Sequence, residues 1–211
     1  MLQQEKIALI VVDVQNGFMP NGNLAVAHAD RILPNVNQLM HHFNSVVLTQ
    51  DWHPEHHISF ANNHNNKHPF DMIDLPYGQQ VLWTSHCVQG TKDADFHPDL
   101  DVSQAQLIIR KGFHAHIDSY SAFVEADRTT KTGLAGYLNE RQIDTVYVVG
   151  VATDFCVAWT AIDAVNLGFK TYVIEDATAG IDLDGSLAQK WQEMQALNIG
   201  RVQTQDVINL L

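Results

Sequence analysis

Residues 6–14 (KIALIVVDV) place the tightest constraint on the fold. The run is apolar and rich in β-branched side chains, too short for a comfortable helix, and it lacks the alternation of a strand with one wet face. A run of this kind is buried on both sides, as in a central strand of a parallel sheet. Further strand-like segments stand at 45–50 (SVVLTQ), 106–111 (QLIIRK), 145–149 (TVYVV, closed by Gly150), 170–175 and, briefly, 201–205. Helical patterns lie between them, over 30–43, 132–141, from Thr153 up to Gly168, and over 186–197. Pro34 is tolerated only near the start of its helix, so that helix's first turn is expected near Leu33. The β-α alternation predicts a three-layer α/β fold: a mainly parallel central sheet of about six strands with helices on both faces.

At 211 residues and 45% hydrophobic, the chain can bury one full core, and no repeat or low-complexity linker divides it. The expectation is a single domain over 1–211, with a polar excursion at about 51–99. Twelve Lys and Arg against 24 Asp and Glu give a net charge of -12, which disfavours a phosphate-backbone partner. No long apolar span and no basic-then-apolar leader is present, so neither membrane insertion nor secretion is expected, and the cytosol is the expected compartment. Cys87 and Cys156 are accordingly expected to stay reduced. Oligomeric state, including a homo-oligomer, is left open.

In an open α/β sheet, ligands gather where the carboxyl ends of the strands share one edge. Asp13, Asp51 and Lys111 each end a strand, although a turn-forming aspartate and a solvated rim lysine are the plainer readings of such residues. Cys156 falls in the first turn of the helix that follows residues 145–149, with Thr153 or Asp154 as the expected N-cap. Unpartnered N–H groups and the positive end of the helix dipole there favour thiolate, although a buried cysteine is also often just a small hydrophobe. A cysteine, a carboxylate to take its proton and a lysine to hold the negative charge form a nucleophilic set for attack on an acyl carbon. The N–H groups of Cys156 and Ala152 are candidate oxyanion donors, unless Thr153 caps the former.

Residues 51–99 carry much Asn, His, Pro and Gly and little periodicity, and a loop of that length needs a function or an internal clamp. Asp51 and His53, at i and i+2 on extended backbone, point to one side. With a third histidine they would form a divalent-metal site with open positions. Composition alone does not choose that third ligand, although His86 lies in a less polar, packed context. His56, His64 and His68 read as solvated loop residues.

Together, residues 13–18 (DVQNGF), 51–53 (DWH), 86–90 (HCVQG), Lys111-Gly112 and residues 150–156 (GVATDFC) resemble the nicotinamidase branch of the isochorismatase-like cysteine hydrolases. The resemblance spans nearly the whole chain, and Asp-x-His with the later His-Cys is its most specific part. It implies deamidation of nicotinamide through a cysteine thioester, with pyrazinamide as a second substrate. By motif position it implies Cys156 as nucleophile, Asp13 as general base, Lys111 as third member, and Ala152 and Cys156 as oxyanion donors. Asp51, His53 and His86 become ligands of a divalent metal, zinc first, iron or manganese as alternatives, that meets the pyridine nitrogen. Phe18, Trp83 and Tyr120 become walls for a flat ring. The resemblance also implies a cis peptide between Val151 and Ala152, and leaves His57 or His68 as a possible extra ligand.

Two rivals define the tests. A hydrolase of the same fold acting on isochorismate or another amide has no use for Asp51-x-His53. A non-catalytic metal-binding protein leaves Asp13 and Lys111 unexplained.

Overall fold

The structure, a computed structural model, describes residues 4–211. Strand β1 (Ile7–Val12) is buried at every position, as its unbroken apolar run requires. Around it β2 (Val46–Asp51), β5 (Leu107–Lys111), β6 (Thr145–Val151), β7 (Lys170–Ala179) and β8 (Gly200–Val202) complete a six-stranded sheet in the order β5-β2-β1-β6-β7-β8. Every neighbouring pair is parallel. A separate antiparallel hairpin, β3 (Met72–Leu75) and β4 (Gly78–Val81), stands in the 51–99 excursion.

Among the described residues, five α-helices cover the sheet: α1 (Leu33–Met40), α2 (Leu134–Glu140), α3 (Ala158–Asn166), α4 (Ser186–Ala196) and α5 (Thr204–Leu210). Side chains of β1 alternate between two cores, as the period of a strand dictates. Ile7, Leu9 and Val11 pack with Val36 and Leu39 of α1 and Val207 of α5. Ala8, Ile10 and Val12 pack with Leu138 of α2, Ala161 of α3 and Met194 of α4. The two faces are therefore both covered, and each buried aliphatic side chain contributes about 1.5–3 kcal/mol. The predicted three-layer α/β fold is the observed one. Among the described residues, no helix is long and apolar enough to cross a membrane.

Local differences from the sequence reading have physical causes. Gly150 does not end β6, which runs on to Val151. Gly150 has φ 110°, and a Cβ there would lie 2.0 Å from the Val12 carbonyl oxygen, so the glycine permits close pairing with β1 instead of marking a turn. The last strand stops at Val202, and Thr204 opens α5, where its amide and hydroxyl both donate to Asp176. Pro34 sits in the first turn of α1, as expected. Residues 153–157 form a π turn before α3, and neither Thr153 nor Asp154 caps it. Asp154 instead accepts from the Ile181 and Asp182 amides and the Ser186 hydroxyl, tying this turn to the loop before α4.

Candidate active site

Strand register brings three of the singled-out groups to one edge. Asp51 and Lys111 are direct cross-strand partners at the ends of β2 and β5, and Val12 pairs with Gly150, which sets Asp13 beside the turn that holds Cys156. Asp13 has left-handed backbone at φ 50°, which aspartate tolerates better than most residues. Thr49 stabilises that conformation: its hydroxyl accepts from the Asp13 amide at 3.1 Å and donates to Asp13 Oδ1 at 2.6 Å. Lys111 Nζ, fully buried, lies 2.8 Å from Asp13 Oδ2 and donates to Asp51 Oδ1, to the Ser119 carbonyl at 3.1 Å and to Cys156 Sγ at 3.4 Å. One carboxylate oxygen each from Asp13 and Asp51 and the Cys156 sulfur lie within 4.8 Å of one another. Neither the turn-forming reading of Asp13 nor the rim reading of Lys111 describes what is seen.

Burial raises the Asp13 carboxyl to about 6, the charge of Asp51 adds to this, and Lys111 and Thr49 offset only part. Lys111 would be lowered by its burial, but Asp13 and Asp51 hold it well above its ordinary value. Burial also pushes the Cys156 thiol well above its usual range; Lys111 pulls it back, and Asp13 and Asp51 raise it again. This corrects the expectation that the helix start favours thiolate, because burial among carboxylates outweighs it here. A buried thiol of that kind needs a base at contact distance, which Asp13 is placed to be. The Ala152 N–H follows a cis Val151–Ala152 peptide and donates no hydrogen bond among the described residues, so it is free to meet a ligand oxygen.

Asp51, His53 and His86 place one donor atom each within 4.8 Å of the others. The wiring around them leaves those atoms available. Lys111 occupies Asp51 Oδ1, leaving Oδ2, which lies 3.8 Å from His86 Nε2. His86 Nδ1 sits 2.8 Å from the Thr84 carbonyl, which commits its proton there and leaves Nε2 as an acceptor. Among the described residues the His53 ring makes no hydrogen bond: its Nε2 lies 3.8 Å from Asp118 Oδ1, and its Nδ1 is buried without a partner. Gly112 allows this crowding, since a Cβ on it would meet His53 Nε2 at 2.6 Å. Charge points the same way: Asp13, Asp51 and Asp118 are buried beside one buried lysine, an excess of two negative charges that a divalent cation would balance. The cradle fits a divalent metal ion.

His57 and His68 have other partners. His57 is 4.5 Å from His53 by ring centroid, but its Nδ1 contacts the Ser59 hydroxyl and its Nε2 the Ile117 carbonyl. Burial, then the neighbouring His53, lowers it to about 4. The His68 side chain is 85% exposed and paired with Asp71. Of the histidines read as solvated, His64 is engaged by the Ile58 carbonyl at 2.6 Å. Cys87 and Cys156 are both free.

A narrow cleft opens over these groups. Phe18, Trp83 and Tyr120 line it with Cys156 and the three cradle residues, so the structure brings these three aromatic residues to one place. Trp83 meets Phe155 edge-on at 4.9 Å and donates from Nε1 to the Tyr120 hydroxyl at 3.1 Å. Aromatic walls of this kind suit one flat ring. Sequence reasoning missed Phe155, Asp118, Leu24 and Ile181 in this lining. Phe155 was within reach of it, one residue before Cys156; the others come from stretches without a periodic or motif signal.

The Isochorismatase domain model matches residues 7–206. A nicotinamidase from Acinetobacter baylyi is 65% identical over 99% of this chain and 97% of its own length. The solved Acinetobacter baumanii nicotinamidase/pyrazinamidase superposes with a TM-score of 0.96 at 69% identity, covering 97% of this chain and 99% of that one. The pyrazinamidase of Pyrococcus horikoshii, solved in complex with zinc, gives 0.77 at 37% identity over 94% and 99% of the two chains. With its strand order, its edge of converging residues and these likenesses together, the chain belongs to the isochorismatase family.

Proposed function

We propose that this protein is a cytosolic nicotinamidase, hydrolysing nicotinamide to nicotinate and ammonia and accepting pyrazinamide as well. The observation that carries the reading is the meeting of Asp13, Lys111 and Cys156 beside the Asp51, His53 and His86 cradle, at the floor of a cleft with aromatic walls. The unit is the whole chain as one domain, with residues 51–99 as its metal-binding part. Its relatives and their substrates support the same reading.

Phe18, Trp83 and Tyr120 enclose the ring. The cradle would hold a divalent ion, zinc by the likeness to the zinc-bound pyrazinamidase, which supplies a positive anchor for the pyridine nitrogen. Asp13 takes the Cys156 proton as Sγ attacks the amide carbon, and Lys111 offsets the charge that develops. The Ala152 and Cys156 amides receive the oxyanion. Collapse breaks the C–N bond; the proton held on Asp13 goes to the departing nitrogen, leaving a thioester and ammonia. Asp13 then takes a proton from water, whose oxygen attacks the thioester carbon; Cys156 leaves and recovers that proton from Asp13, and the nicotinic acid released ionises to nicotinate.

A panel of nicotinamide, pyrazinamide and isochorismate, with ammonia release followed and bound metal quantified, tests this. Nicotinamide and pyrazinamide are expected to turn over, with Cys156→Ala slowing both by at least about 10³-fold while remaining folded. Turnover of isochorismate alone, or full activity in Cys156→Ala, would overturn it.

A further inference from the structure

Nothing in the reaction above uses Asp118, in the loop after β5, although it is buried at the edge of the cleft. Burying a carboxylate costs stability unless it is paired. Among the described residues, the one side chain ion-paired with Asp118 is His53, whose Nε2 lies 3.8 Å from Oδ1. Oδ1 also accepts the Ser119 amide at 2.8 Å, while Oδ2 accepts from Gln80 Nε2 at 2.6 Å.

Gln80 reaches in from β4, in a hairpin whose neighbouring Gly78 and Gln79 are exposed, yet Gln80 itself is buried. Its Nε2 lies 3.0 Å from the Tyr120 hydroxyl, and its Oε1 accepts from Tyr77 at 3.1 Å. One amide thus fixes the acid beside His53 and touches the ring wall.

We propose that Asp118 is a positioning residue for the metal centre: its carboxylate orients the His53 imidazole and adds the negative charge that matches the cradle to a divalent ion, while Gln80 holds Asp118 in place. This rests on the metal reading of Asp51, His53 and His86. Carboxylates behind a ligating histidine fix its orientation and raise its basicity, and losing one typically weakens metal binding 10- to 100-fold.

The test is zinc affinity, measured on metal-stripped, folded protein by competition with a chromogenic chelator. Asp118→Asn, which keeps shape and removes charge, is expected to bind zinc about 10- to 100-fold more weakly than wild type. Gln80→Ala, which leaves the charge and removes the tether, is expected to lose less, roughly 2- to 10-fold. A purely structural Asp118 would lower the melting temperature and leave the affinity of the folded protein unmoved. Equal affinities in wild type and Asp118→Asn would overturn the inference alone. Should Asp118→Asn not fold, an unchanged Gln80→Ala affinity overturns it. A wild-type protein that takes up no zinc would remove the metal reading and this inference together.

Discussion

The two halves of the site are held in place by different means. Asp13, Lys111 and Cys156 sit at strand ends and in one turn, where parallel register and a core buried on both faces fix the backbone. His53 and His86 belong to the 51–99 excursion, where buried Phe60, Leu82 and Trp83 are joined by isolated polar contacts: His53 and Gln89 bond to the chain around them, the Cys87 amide donates to Asp93 at 2.7 Å, and Gln15 clasps the Asp51 backbone through both ends of its amide. The difference teaches that the strand-held half is fixed by sheet register, whereas the cradle half rests on irregular loop contacts that a bound ion would complete.

Chelation is the sharpest way to break that contrast. Removing metal is expected to abolish ammonia release from nicotinamide and to speed amide hydrogen exchange across residues 51–99, with β1 and β6 unchanged. Uniform acceleration through the sheet would show that the two halves are one unit. Full activity in verifiably metal-free protein would remove the metal from the function.

Lys111 tests the other half. It is enclosed by two buried carboxylates, and removing one partner of such a cluster costs about 3–5 kcal/mol. Lys111→Ala is therefore expected to lose that much stability in urea denaturation as well as its activity. His53→Ala, measured on metal-free protein, is expected to lose much less. The reverse ranking would mean that the cradle, not the strand edge, carries the stability.

The same contrast governs what the sequence made legible. Apolar runs ending in Asp13, Asp51 and Lys111 announced the sheet and set three ionisable groups along one edge of it, although each residue taken alone had a plainer reading as a turn former or a rim residue. The π turn at 153–157 was not legible, because Asp154 looks like a cap and spends its oxygens on the loop before α4. The direction of the Cys156 shift was missed for a related reason: local helix geometry is readable, but burial among distant carboxylates is not. Asp118 and Gln80 were invisible, since their partnership spans 38 residues of chain and neither lies in a periodic segment.

Asp13 links the halves through pH. As the proposed base it must be ionised, and with its carboxyl at about 6 the rate constant kcat/KM is expected to fall about tenfold per pH unit below that value. A cation in the cradle favours the ionised form, so the acid limb of the metal-loaded enzyme is expected at or below pH 6. A rate that rises on acidification through this range would exclude Asp13 as the base.

Thr49→Val probes the smallest element of the comparison, a single hydroxyl within the strand-held half. Valine keeps the shape of this buried side chain but leaves the Asp13 amide and Oδ1 without their partner, at a cost of about 1–3 kcal/mol. The lost hydrogen bond served the ionised carboxylate, so the Asp13 value moves up from about 6 and the acid limb of kcat/KM moves with it. For a carboxyl raised in the folded state, stability falls as pH rises from the unfolded value through the folded one. The variant should therefore lose more stability at neutral pH than below pH 4. Zinc affinity should stay at the wild-type level, because Thr49 touches Asp13 and not the cradle. If zinc affinity fell while the pH profile stayed put, the strand edge and the cradle would be coupled through Asp13, and their separation by mode of support would fail.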